Sequence, residues 1–135
     1  MLNPVTAEFI SQLQRLLPAA AFPELGDKYL TEPRGQYRGS AGLLVAPDST
    51  AQVAQVITVA AAARISVVPY GGGTGLVGGQ ILPESTTGAP APLILSLGRM
   101  RRIRACYPAE NVLVAEAGVV LAEVQQSAAD VDRLF

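Results

Sequence analysis

Between Tyr70 and Gln80, six of eleven residues are glycine: Tyr70-Gly71-Gly72-Gly73-Thr74-Gly75-Leu76-Val77-Gly78-Gly79-Gln80. Glycine is entropically costly to order, so such a run in a chain with a real core calls for a reason. Without Cβ atoms, consecutive N–H groups can turn toward one point and a bulky group can approach the main chain, which favours anions. The bland alternative is a tight glycine turn that holds no ligand.

What precedes the run sharpens the reading. Leu43-Leu44-Val45-Ala46 is a short apolar strand ending at Pro47-Asp48, and Ser49 with Gln52 has capping-box spacing for a helix. Val53, Val56, Ile57 and Ala60 then recur at helical spacing up to Ala63, and Ile65 to Pro69 reads as a second buried strand. Strand, helix and strand predict a βαβ unit with parallel strands, and the glycine run leaves the C-terminal end of the second one. Open α/β sheets present ligands at that end, so phosphate or pyrophosphate is the expected guest.

Three phosphate motifs compete for this loop. A P-loop requires a lysine after its last glycine, and the only lysine of the chain is Lys28. Gly73-Thr74-Gly75-Leu76-Val77-Gly78 matches G-x-G-x-x-G, but a Rossmann loop opens a helix and has an acid about twenty residues on. Here the Pro/Ser/Thr/Gly-rich segment Pro83 to Pro92 follows, read as an exposed loop, and Arg99, Arg101 and Arg102 stand near the acid's place. What remains is a βαβ unit whose glycine loop wraps a pyrophosphate by main-chain amides, with no helix dipole behind it.

The rest of the chain frames this unit. Phe9, Ile10, Leu13, Leu16 and Leu17 share one side of a helix over Thr6–Leu17 that Pro18 ends, and an irregular segment leads on to Gly42. Leu93 to Leu97 is a third strand, Arg102–Tyr107 and Asn111–Ala117 form an antiparallel hairpin, and Val119–Ala129 is a helix. The fold class is therefore α/β (α+β): a small parallel βαβ layer plus the start of a second, mainly antiparallel sheet with helices.

Composition closes off other chemistries. Zero His among 135 residues removes histidine triads and His-containing metal sites, and no metal site or catalytic residue is assigned. A single cysteine, Cys106, excludes an internal disulfide; it reads as a buried, inert thiol. Net charge -1 argues against nucleic acid as a partner. With no basic leader and no apolar run of membrane-spanning length, the expected location is the cytoplasm, with peripheral membrane association of a parent protein left open.

Val68-Pro69-Tyr70-Gly71-Gly72-Gly73-Thr74-Gly75-Leu76-Val77-Gly78-Gly79 resembles the flavin-pyrophosphate loop of the vanillyl-alcohol oxidase (PCMH-type) FAD-binding fold. Within it, the chain is most similar to FAD-linked oxidases of the glycolate oxidase, D-lactate dehydrogenase and D-2-hydroxyglutarate dehydrogenase group. Tyr37-Arg38-Gly39, Val45 to Val53, Leu95 to Met100 and Val114 to Val119 follow that family's order and spacing. The resemblance covers about residues 36–135, leaving 1–35 as an N-terminal helix and lead-in.

The resemblance implies that Gly71, Gly72, Gly73, Thr74, Gly75 and Leu76 bind the FAD pyrophosphate, mainly by main-chain groups. Pro69 and Tyr70 would lie beside the cofactor, and Gly78 and Gly79 would close the loop. Relatives with covalent flavin carry a histidine where Gly73 stands, so FAD is expected to be noncovalent. The implied reaction of the parent is oxidation of a small 2-hydroxy acid (D-lactate, glycolate or D-2-hydroxyglutarate type) by hydride transfer to the flavin. In the family a second pyrophosphate segment and a substrate domain lie beyond the helix of residues 119–131. The 135 residues therefore read as the N-terminal part of a larger enzyme, inactive alone and prone to self-association as a homo-oligomer. The rival reading is a noncatalytic phosphate- or nucleotide-binding α/β module.

Remaining polar residues carry open readings. Arg99, Arg101, Arg102 and Arg104 read as a solvated basic face ahead of a phosphate or substrate contact. Glu116 is expected to pair with an arginine. Arg38 reaches either a phosphate or Asp48, and Tyr70 either stacks by the cofactor or covers the loop.

Overall fold

In the computed structural model, which describes residues 1–82 and 88–135, three parallel strands and a separate two-stranded hairpin organise the chain. Residues 83–87, part of the expected exposed loop, lie outside the described residues. Helix α1 (Ala7–Leu16) starts where the Thr6 hydroxyl accepts a hydrogen bond from the Phe9 N–H. Such a cap satisfies one of the donors a helix leaves free.

Strands β1 (Leu43–Val45), β2 (Val67–Tyr70) and β3 (Leu93–Ser96) form a parallel sheet in the order β1-β3-β2. Leu43 and Val67 both pair with Leu93, and Tyr70 pairs with Ser96. The strands of the βαβ unit are thus parallel as expected but not neighbours, because β3 inserts between them. Local pattern cannot reveal this: pairing order depends on the return connection, which carries no periodic signal. Pro69, which has no N–H to give a ladder, is accommodated because β2 lies at the sheet edge.

Both faces of the sheet are covered, which explains why its strands read as unbroken apolar runs. Val45, Leu93 and Leu95 pack with Phe9 and Leu13 of α1 and with Val56 and Val59 of α2 (Thr50–Ala62). Leu44 and Ile94 point the other way, into a smaller cluster with Tyr70 and, from the lead-in segment, Tyr29 and Leu30. The Ser49 hydroxyl accepts from the Gln52 N–H as the capping spacing predicts, while the Gln52 side chain returns to the Asp48 N–H, one residue earlier than in a standard box.

Strands β4 (Ile103–Tyr107) and β5 (Val112–Ala115) make the antiparallel hairpin, irregular between Ile103 and Ala105, and helix α3 (Leu121–Ala129) packs against it. Three turns meet at the C-terminal end of the parallel sheet: Pro47–Ser49 after β1, Leu97–Arg99 after β3, and the glycine run after β2.

Candidate functional site

The glycine run emerges directly from Tyr70 and forms no helix. Among the described residues, none of the nine N–H groups from Gly71 to Gly79 donates a hydrogen bond. Most of these residues are exposed, and a Cβ on Gly71 or Gly79 would meet nothing within 4 Å. The loop is therefore a stretch of free amide donors with no side chains shielding them, which suits the oxygens of an anion.

Its carbonyls are treated differently. The Gln80 side-chain amide donates to the carbonyls of Gly73 (3.2 Å) and Gly75 (3.0 Å), and the Arg34 guanidinium donates to the carbonyl of Leu76. Tying back acceptors while leaving donors free lowers the repulsion an arriving anion would meet. Below the loop, Tyr70 is buried, donates its hydroxyl to the Lys28 carbonyl at 2.8 Å and meets the Tyr29 ring edge-on at 4.8 Å. Burial, and secondarily Tyr29, pushes its phenol above the ordinary value, so the hydroxyl stays a donor. Its hydroxyl lies where a Cβ on Gly73 would stand, so the ring packs against the loop.

Residues 41–135 match a family described as an FAD binding domain. The chain belongs to that family. Against a probable mitochondrial D-2-hydroxyglutarate dehydrogenase of Oryza sativa subsp. indica it is 40% identical over 87 residues, 64% of this chain and 14% of the relative. An alkyldihydroxyacetonephosphate synthase structure superposes with a TM-score of 0.76 at 17% identity, over 96% of this chain and 28% of the other. A p-cresol methylhydroxylase structure superposes at 0.65 and 16% identity, covering 96% and 27%. These likenesses bear out the PCMH-type fold, and the family match favours flavin over the unspecified phosphate-binding module. The chain spans 14% of the length of the Oryza relative.

Within this FAD binding domain the expected basic face proves to be a set of ion pairs. Arg99 bonds the Ala46 carbonyl and Asp48, joining the ends of β1 and β3, while Arg101 pairs with Glu123. Arg102 and Arg104 converge on Glu116, whose side chain is almost wholly buried. The Arg102 guanidinium and backbone N–H, and then Arg104, hold the Glu116 carboxyl at about 2 against the burial that would raise it. Arg38 reaches Asp27 at 2.7 Å rather than Asp48. Cys106 is half-buried, less enclosed than expected, because the hairpin is covered on one face only. Among the described residues no helix is long and apolar enough to cross a membrane.

Sequence reasoning missed two contributors, Gln80 and Arg34. Gln80 closes the glycine run and could have been flagged as its only amide side chain. Arg34 lies 42 residues upstream of Leu76, and no local pattern connects them.

Proposed function

We propose that the loop from Pro69 to Gly79 holds the diphosphate of FAD in a flavin-dependent dehydrogenase that oxidises a small 2-hydroxy acid. The observation that carries this reading is the row of nine amides, none donating to another described residue, at the C-terminal end of a parallel sheet. Gly71, Gly72, Gly73, Gly75 and Leu76 present main-chain donors, Thr74 adds a hydroxyl, and Gly78 and Gly79 return the chain. Pro69 and Tyr70 form the floor. Membership in the FAD binding family supports the guest, and the name of the Oryza relative supports D-2-hydroxyglutarate or a similar acid as substrate.

When bound, FAD supplies two-electron acceptor chemistry that no side chain of this chain provides. The residues described here bind and orient; substrate contacts are assigned to other parts of the complete protein. Gly73 offers no nucleophile, so the cofactor is held noncovalently. The domain comprises residues 36–135, with 1–35 as its lead-in. The cytoplasm is its proposed location, where an unpaired Cys106 stays reduced.

The test is the complete protein purified and examined in visible light. Flavin absorbance that bleaches anaerobically on adding D-2-hydroxyglutarate, D-lactate or glycolate is expected, with the flavin released into the supernatant on acid precipitation. A colourless protein that takes up no added FAD would refute the reading.

A further inference from the structure

Glu32 is a carboxylate with 1% of its surface exposed, well outside the glycine loop. Burying a carboxylate is costly unless its oxygens are fully engaged. One oxygen accepts from Arg34 Nε at 2.9 Å; the other accepts from the backbone N–H groups of Arg34 (3.0 Å) and Gln36 (3.2 Å). Burial pushes the Glu32 carboxyl up, but these bonds outweigh it and the group stays ionised.

The carboxylate sits inside a small hairpin of its own making. Glu32 N–H donates to the Tyr37 carbonyl at 3.0 Å, Gly39 N–H to Leu30 at 2.8 Å, and Thr31 bridges Arg38. The hairpin touches the glycine loop at two points. The Tyr37 ring lies 3.4 Å from where a Cβ on Gly78 would stand, and the far end of the Arg34 guanidinium donates to the Leu76 carbonyl. Glu32 thus fixes the near end of a planar, five-donor group whose far end is spent on the loop.

We propose that Arg34, oriented by Glu32, is a positioning residue for the cofactor: it holds the Leu76 carbonyl so that the neighbouring amides stay presented to the diphosphate. This rests on the flavin reading above and adds to it a strut supplied by the segment before the parallel sheet. Arg34 acts through the main chain, its charge balanced by the Glu32 carboxylate at 2.9 Å.

The experiment measures the FAD dissociation constant of the complete protein by flavin fluorescence, for wild type, Arg34→Met, Arg34→Lys, Glu32→Ala and Arg34→Met with Glu32→Ala. Arg34→Met is expected to weaken FAD by about tenfold, the scale of one charge-assisted hydrogen bond. Arg34→Lys recovers part of that loss, since an ammonium can still donate to Leu76. Glu32→Ala weakens FAD alone but adds little once Arg34 is Met, because the two act in series. Melting of the FAD-free proteins by circular dichroism runs alongside. Arg34→Met binding FAD like wild type, or Lys and Met variants losing affinity equally and in step with melting, overturns the strut. Failure of the flavin reading looks different: wild type then ignores FAD, or binds it equally well as Gly73→Val.

Discussion

The hydroxyl of Tyr70 occupies the space that a Cβ on Gly73 would need, and Gly73 itself sits at φ +72. A side chain at 73 therefore meets a left-handed backbone, costing about 1–2 kcal/mol, and a collision with a ring held by Tyr29 and Lys28. Gly73→Ala is predicted to lower the melting temperature and weaken FAD at least about tenfold. Tyr70→Phe loses one half-buried hydrogen bond and is expected to lower the unfolding free energy in urea by about 1 kcal/mol.

Gln80 bonds two loop carbonyls through a single nitrogen, so its loss frees both without opening the core. Gln80→Ala should weaken FAD several-fold in titration while leaving the melting temperature of the FAD-free protein within a degree or two. Gln80→Glu should weaken it more, since a carboxylate cannot donate to these carbonyls and repels the diphosphate. A Glu variant that binds FAD as well as wild type would remove Gln80 from the site.

The elements of the parallel layer were legible because each carries a local signal: the apolar run from Leu93 to Leu97, the Ser49–Gln52 capping spacing, the helical spacing of Val53, Val56 and Ala60. The glycine loop was legible for the same reason, since free amides and missing Cβ atoms are written in the residues themselves. What sequence could not give was arrangement. The insertion of β3 between β1 and β2, the reach of Arg34 to Leu76 and the choice of Asp27 over Asp48 by Arg38 are tertiary facts, set by packing between distant segments. The resemblance to a flavin family named the guest; the chain's own chemistry had narrowed it to a pyrophosphate.

Gly118 joins the hairpin to the parallel sheet by donating to the Met100 carbonyl at 2.8 Å. A Cβ there would collide with the Leu97 carbonyl and stand 2.8 Å from the Met100 carbonyl oxygen, and backbone cannot swing aside as a side chain can. Gly118→Ala is predicted to cost about 2 kcal/mol or more, in the range of overpacked sites, read as a lower urea midpoint. Gly26→Ala, where a Cβ meets nothing within 4 Å, serves as the control and should be near neutral.

The hairpin and α3 leave Tyr107, Val112, Val114 and Leu121 exposed, with Phe135 beside them. Exposed apolar side chains gathered on one small element drive association in water. The 135-residue polypeptide is expected to sediment as a concentration-dependent oligomer, and Val112→Lys with Val114→Lys to shift it toward the monomer mass of 14.0 kDa. Unchanged sedimentation in the double variant would place the contact elsewhere.

Glu116 links pH to the hairpin's attachment. Its carboxylate accepts from the Arg102 N–H at 3.0 Å, from the Arg102 guanidinium at 2.8 and 3.0 Å, and from Arg104 at 3.2 and 3.3 Å. Its folded value of about 2 lies below the ordinary 4.5, so acid protonates the unfolded chain first. The stabilisation is therefore complete above about pH 4.5 and drains away as pH falls toward about 2. Glu116→Gln should be less stable than wild type at pH 7, with a shallower decline of its urea midpoint across that acid window. Glu32 is lowered in the same direction, so Glu32→Ala in the Glu116→Gln background should flatten the curve further. If the midpoints of wild type and Glu116→Gln decline in parallel, the two arginines do not hold this carboxylate ionised in solution.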